Sequence, residues 1–403
     1  MTGNYRHLLL GLSLCVLLIS FAALDSAARP EFAAREDKDC IFCHIDPAGG
    51  GPRNAVGQVF EENYFEFPQD FDPESLMAEA KEIAQRLTTA VDIRTAYIKT
   101  TDVVHEEETL ANCASCHSSV DSFLMMQGEL TVNAEASDKL RLTLSNNLGA
   151  MLNAFATVDA IPEHLYVKVG QFRIPFGLKQ KDHNILVKGG YNLGSNKRDV
   201  GIEFGGSYGG LFYNAAVFNG GNATIFSGGR SADVDENHHK AWVATAGGNV
   251  GPLRAGVSYL RNKSRDQRTM TVGTFLTAVH KDPIFQRDLV LEGEFNIRGN
   301  FHGRESIIIE DEDIDSKGYY VGAKYHLMRG LVLSGRYGLF DSNRKILGDA
   351  QQRVTIAAQY TFMKSGSLEL LYWLNIENEN RTDNNSRQLR GVDQLILMSH
   401  FWF

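Results

Sequence analysis

From residue 87 to residue 403 the chain repeats one pattern: ten to fourteen residues of alternating polarity, then a turn or loop. In 352–362, Val354, Ile356, Ala358, Tyr360 and Phe362 share one face, and Arg353, Thr355, Ala357, Gln359 and Thr361 share the other. In 367–377, Leu368, Leu370, Tyr372, Leu374 and Ile376 oppose Glu369, Asn375 and Glu377. Successive strand side chains point to opposite faces, so each strand has an apolar and a polar side. In a bilayer, strands can span only as a closed barrel, with the apolar side to lipid. A soluble β-sandwich is the alternative. It needs neither so many long alternating strands nor the ending "LILMSHFWF", an amphipathic strand with Phe403 as its last residue.

The pattern predicts strands near 87–100, 122–135, 139–147, 150–159, 164–173, 198–208, 211–219 and 240–249. Eight more lie near 252–262, 269–280, 286–299, 317–327, 331–341, 351–363, 367–379 and 391–403. Sixteen is an even number, as single-chain bacterial barrels require. The fold class is therefore all-β, a 16-stranded antiparallel transmembrane barrel. Tight links such as "IPE", "GG" and "MRG" alternate with longer ones at 101–121, 174–197, 220–239, 300–316 and 380–390. Periplasmic turns are short and extracellular loops long. The long set is thus outward, and only the short 148–149 link breaks the rule.

Composition narrows the class. Among 403 residues there are 38 glycines, 9 prolines and a formal net charge of -9, which argues against nucleic acid as a partner. The one long apolar run, "LLLGLSLCVLLISFAA", comes after Arg6 and His7 and precedes small residues ending at Ala28. A charged start, an apolar stretch and a small-residue site describe a secretory signal peptide over 1–28. Cys15 lies inside that run with no lipobox around it.

The four other cysteines, Cys40, Cys43, Cys113 and Cys116, all belong to two C-x-x-C-H units, "CIFCH" and "CASCH". Each such unit is a signal for covalent c-type haem, with thioethers from both cysteines and iron ligation by the histidine, here His44 and His117. Zinc and disulfides compete for the same cysteines, but neither explains why His comes directly after both pairs. The expected cofactors are two c-type haems. Candidate axial donors are His105, Met125, Met77 and His183. The chain then divides into a signal peptide (1–28), an N-terminal cytochrome segment (29–86) forming a periplasmic or lumenal plug, and the barrel (87–403). The second haem motif falls in the first extracellular loop, 101–121.

Two stretches resemble known families. "CIFCHIDPAGGGPRNAVGQVF" is similar to the haem segment of outer-membrane cytochrome c–porin fusions, and "LYVKVGQFRIPFGL" (165–178) resembles a strand-to-loop segment of the phosphate-selective porin O/P family. The resemblance implies a sixteen-stranded barrel with a cytochrome plug that moves electrons across the bacterial outer membrane. Some such fusions oxidise ferrous iron at the cell surface. The second motif departs from single-haem iron-oxidising fusions and makes a relay easier to build.

Acidic and histidine-bearing stretches at 105–108, 233–239 and 310–315 suit Fe(II) capture, simple solvation of outer loops, or calcium binding at the lipopolysaccharide surface. Arg94, Lys168, Arg254, Lys324, Arg336 and Arg353 fall on the expected lumen face, a placement that suits screening of haem propionates, selection of anions, or an ordinary polar lumen lining equally. The leading expectation is electron conduction between periplasmic c-type cytochromes and an extracellular donor or acceptor such as iron, in contact with outer-membrane lipid. The alternatives are an anion-type porin with accessory haem segments, and a surface Fe(II) oxidase or metal reductase.

Overall fold

The computed structural model describes residues 30–36, 38, 40–49, 51–68, 70–73, 75–76, 87–100, 121–147, 150–162, 164–179, 185–191, 193, 198–220, 239–264, 267–285, 287–301, 315–345, 350–376 and 393–403. Alternation is realised as strands β1 (Leu87–Thr100), β2 (Asp121–Ser137), β3 (Leu140–Asn147), β4 (Ala150–Ile161), β5 (Leu165–Arg173), β6 (Arg198–Tyr208), β7 (Leu211–Phe218) and β8 (Ala241–Val250). Then come β9 (Leu253–Ser264), β10 (Gln267–Lys281), β11 (Asp288–Phe301), β12 (Asp315–Met328), β13 (Leu331–Asp341), β14 (Gln351–Met363), β15 (Gly366–Ile376) and β16 (Gln394–Trp402). Each strand ends within about three residues of the position that the alternation predicts.

Every strand pairs antiparallel with its neighbours in sequence, and β1 pairs with β16 to close the barrel. Phe403 completes the seam: its N–H donates to the Val91 carbonyl at 3.1 Å, and the Val91 N–H donates back at 2.7 Å. Closure leaves no strand edge to aggregate or to meet lipid unpaired.

The two faces are inverted relative to a soluble protein. Outside, Ile356 is 60% exposed, and Val169, Phe204, Val217, Leu276 and Val321 are exposed with it. Inside, Thr131, Asn133, Ser145, Thr157, Glu203, Thr271, Glu292 and Asn296 are buried. Only a hydrocarbon solvent suits such an exterior, so the barrel is a transmembrane one of the bacterial outer-membrane type. Arginine in place of Ile356 would cost about 2–4 kcal/mol at mid-bilayer.

Links after even strands are short, as at 138–139, 209–210, 251–252, 329–330 and 364–365, and form the periplasmic rim. Links after odd strands are mostly long, with two short exceptions, 148–149 and 265–266.

The link 174–197, expected as an outward loop, instead turns inward where it is described. Phe176, Leu178, Ile185, Val187, Tyr191 and Leu193 join the wall residues Phe155, Phe172, Phe218, Leu260, Phe275 and Phe340 in a lumenal apolar core. The physical reason is composition: these side chains are too apolar for a solvated loop. The loop's backbone finds partners on the wall. The Leu178 N–H donates to Glu294 at 3.1 Å, the Gly177 N–H to Ser258 at 2.9 Å, and Thr245 donates to the Pro175 carbonyl at 2.9 Å. Gly177 has φ +63, and a Cβ there would overlap the Glu294 carboxylate, so only glycine passes. The short helix Leu186–Gly190 lies against β12 and β13, and its Lys188 forms a buried ion pair with Glu294 at 2.7 Å.

Candidate functional site

Among the described residues the N-terminal segment has the helices α1 (Pro30–Glu36), α2 (Cys40–Cys43) and α3 (Ala55–Glu62). Helix α2 is the first C-x-x-C unit, and the His44 N–H donates to the Cys40 carbonyl at 2.9 Å, extending the turn by one residue. Residues three apart on a helix share one face, so Cys40 and Cys43 present their thiols side by side. No disulfide joins them.

Residues 44–62 fold back onto this turn as one compact unit. The Asp46 carboxylate accepts from the Ala48 N–H at 2.9 Å and turns the chain, and a β-bridge pairs His44 with Arg53. Asn54 then caps α3, its side-chain oxygen accepting from the Gly57 N–H at 2.9 Å. The same side chain donates to the carbonyls of Ile41 and Phe42 at 2.9 and 3.1 Å, tying α3 to α2. At Gly57 a Cβ would overlap the Cys43 carbonyl oxygen, so the two helices touch only because there is none. The run "GGGPRNAVGQVF" is therefore the clasp that holds the cysteine–histidine turn.

Phenylalanines give the unit its own core. Phe60 packs on Phe32 at 5.2 Å and on Phe67 at 4.7 Å, and Phe67 reaches Phe42 and Phe71. Arg53 pairs with Glu61, and Arg35 stacks over Phe32 at 5.1 Å.

The unit is seated at the inner mouth of the barrel. Asp46 lies 2.9 Å from Lys168 on β5, which also stands 3.9 Å from Glu203 on β6. Tyr166 donates to Glu203 beside them. Lys179, on the inward loop, donates to the carbonyl of Ala48 and, at 3.4 Å, to that of Gly49. Around the periplasmic rim, Arg35 pairs with Asp288 at 3.1 Å, Lys364 with Glu62 at 2.8 Å, and Arg329 donates to Asn63 at 2.5 Å. Ala34 of α1 packs on Val279 and Val290. Burial alone would raise the Asp46 carboxyl, but Lys168 and Lys179 outweigh it and hold its pKa below the ordinary value. Burial pushes the Lys179 ammonium down.

A cavity opens between this unit, the inward loop and the wall. Cys40, Ile41, Leu165, Leu178, Phe212 and Phe275 supply apolar lining, with Lys179 and Arg254 as cations. Cys40 of the C-x-x-C turn thus borders a partly apolar space on the periplasmic side of the loop. Cys43 and His44 are not among the residues that line it. The turn itself carries the donor set of a covalently held haem, two thiols one helical turn apart and a histidine on the next residue.

The expected lumen cations all lie on the inner side. Arg94 donates to Asp92 at 3.0 Å, and Lys324 pairs with Glu292 at 3.1 Å. Arg254, Arg336 and Arg353 lie over Phe212, Tyr320 and Trp373. Met125 differs from its expected place. A β-bulge at Met126 shifts the register, so that Thr95 faces Met125 and Arg94 faces Gln127. Met125 is consequently 54% exposed on the outer surface, directed away from the lumen. Met126 packs instead on the inner cluster of Ala96, Leu371, Trp373 and Ile396. Cys113, Cys116, His117, His105, Met77 and His183 lie outside the described residues, as do nearly all residues of the acidic outer stretches.

Sequence reasoning missed Asp46, Asn54 and Lys179. Asn54 was detectable, because Asn directly before a helical stretch is a cap signal. The pairing of Asp46 with Lys168 joins residues 122 positions apart and had no local sign.

No protein-family model matches the chain, and no curated protein is similar to it in sequence. Solved structures do match in fold. OmpT of Vibrio cholerae superposes with a TM-score of 0.55 at 9% identity, over 79% of this chain and 97% of that one. The anion-selective porin from Comamonas acidovorans gives 0.53 at 13% identity, over 79% and 99%. OmpF of Salmonella typhi gives 0.53 at 12% identity, over 79% and 97%. At these identities the likeness is one of architecture, and the architecture is that of a porin-like outer-membrane barrel.

Proposed function

We propose that the chain is a dihaem cytochrome–porin that conducts electrons across the outer membrane, between periplasmic c-type cytochromes and an extracellular donor or acceptor such as iron. The observation that carries the reading is the seating of the Cys40–His44 turn inside the inner mouth of a closed barrel, beside a cavity that Cys40 lines. A haem held by Cys40, Cys43 and His44 supplies a one-electron centre on the periplasmic side. The protein's own residues hold the turn, screen it from bulk water and fix nearby charge.

In sequence the second unit, Cys113–His117, falls between β1 and β2, and the reading assigns that link to the outward side. The apolar band of such a barrel is about 25 Å tall, more than one haem spans, so two stations on opposite sides make the path. The porin alternative draws support from the anion-selective neighbour. Against it, Lys168, Lys188, Lys324 and Arg94 are each paired with a carboxylate, which neutralises much of the lumen's positive field.

Proteoliposomes loaded with a redox dye test the proposal directly. The wild-type protein should move electrons to an external acceptor, and Cys113→Ala with Cys116→Ala should abolish the transfer. Unchanged transfer in the double variant, or large open-channel conductance in planar bilayers, overturns the conduit reading. Labelling of positions 101–120 on intact cells tests the outward assignment. Saturation kinetics with soluble Fe(II) separates an oxidase site from a relay.

A further inference from the structure

Beyond the proposed function, we infer that the lipid-facing wall of β12–β16 holds an anionic diacyl phospholipid of the inner leaflet, with its acyl chains in an apolar groove and its phosphate on the basic turns below. The groove offers about 430 Å³ of space. Its floor is made of small residues. Ala323 and Gly335 stand directly opposite each other on β12 and β13, and Ala358 on β14 faces Leu333. At Gly335 a Cβ would meet nothing within 4 Å, so the hollow is open outward. Leu333, Ile356 and Leu370 form its sides and are exposed. The two tyrosines that line it are engaged at opposite ends, Tyr325 donating to Asp282 at 2.8 Å and Tyr372 to Asp393 at 2.6 Å. A hollow so apolar, on a wall that faces hydrocarbon, takes a hydrocarbon chain.

Charge at the lower end selects the headgroup. Tyr325 ties the groove to the periplasmic turn after β10, because Asp282 also accepts from the Ile284 N–H at 2.8 Å. That turn presents Ile284 and Phe285 at 78% and 68% exposure just past the end of the strand, where apolar side chains meet headgroups. Lys281 and Arg287 flank it, and Arg329 stands on the next periplasmic turn, between β12 and β13. The nearby carboxylates are already occupied: Asp282 closes its own turn, and Asp288 pairs with Arg35 at 3.1 Å. On the third turn Lys364 is taken by Glu62 at 2.8 Å. The rim below the groove therefore carries a positive excess on the same strands that form the hollow. A phosphodiester carrying two acyl chains is complementary to both parts, and basic residues at a membrane surface attract anionic lipid. A second copy of the barrel fits less well, because a symmetric contact would bring two such basic rims together.

The test uses the full chain folded in detergent, titrated with dioleoyl phosphatidylglycerol or dioleoyl phosphatidylcholine, with bound lipid counted by native mass spectrometry. The two lipids share their acyl chains and differ in net charge. The wild type should retain one phosphatidylglycerol per chain and prefer it to phosphatidylcholine. Lys281→Gln with Arg287→Gln should cut that preference by about thirtyfold, since each cation at an anionic surface contributes roughly a factor of five. Gly335→Leu fills the floor and should weaken binding of both lipids by about tenfold. Lys139→Gln and Val169→Leu, elsewhere on the rim and the outer wall, should change neither. The heat-modifiable band reports whether a variant has folded, and should Gly335→Leu fail that check, Ala358→Leu fills the same floor with the same expectation. Equal wild-type affinity for the two lipids, an unchanged preference in the double variant, or wild-type retention in a folded groove-filling variant overturns the inference. So does a dimer, in place of bound lipid, that filling the groove dissociates.

Discussion

The carboxylate of Asp46, two residues beyond the histidine of the first C-x-x-C-H unit, lies 2.9 Å from the ammonium of Lys168 in the barrel wall. This pair joins the haem-type turn to the β5–β6 wall, with Glu203 and Tyr166 completing the network. Both charges are largely withdrawn from water, so their pairing is specific and its loss is costly.

Lys168→Met should therefore unseat the N-terminal segment without opening the barrel. Leaving Asp46 and Glu203 without their cation costs about 3–5 kcal/mol. Limited proteolysis of the folded protein should cut within 30–76 faster than in the wild type, while the heat-modifiable band of the folded barrel persists. Equal cutting rates would mean that the rim contacts alone hold the segment.

Acid should release the same lock. The Asp46 pKa is depressed in the folded protein, so its contribution is fully present above the ordinary 3.8 and is lost as pH falls through the lowered value. Segment protection should be flat from neutral pH down to about 4 and fall only below that. The pH profile of proteolysis checks this with an acid-active protease.

Gly57→Ala should impair haem attachment at the first unit. The added methyl collides with the Cys43 carbonyl, and forcing α3 away from α2 costs about 1–3 kcal/mol. Gly335→Ala meets nothing within 4 Å and serves as the control. Haem content per chain should drop in the first variant only.

The inward loop should depend on Glu294, which bonds both Lys188 and the Leu178 N–H. Glu294→Ala leaves a buried ammonium without its carboxylate, at about 3–5 kcal/mol, and should loosen the loop within the lumen. Single-channel recordings should show higher or noisier conductance. A record identical to the wild type would show that the apolar core of the loop suffices.

Met125→Leu should leave every haem spectrum unchanged, because Met125 stands on the outer surface. A shifted Soret or near-infrared band in this variant would contradict that orientation.

The barrel was legible in the sequence because a transmembrane strand must alternate along its whole length, a local constraint that each segment satisfies by itself. Val354 to Phe362 and Leu368 to Ile376 announce their faces without reference to any partner. The first C-x-x-C turn was legible for the same reason, since its spacing fits within one helical turn, Cys40–Cys43. Other features depended on which distant residues meet. The Met126 bulge reversed the face of Met125 through pairing with Arg94 and Thr95. The described part of the link 174–197 turned inward because its apolar side chains found a wall to bury against, and the link's length alone suggested the opposite. The pairing of Asp46 with Lys168, and the cavity that brings Cys40 to Arg254, exist only after closure curls the β5–β10 wall around the N-terminal unit. Local periodicity determined the strands and the motifs. Tertiary packing decided where the motif sits, because burial and charge pairing act between residues that the sequence keeps far apart.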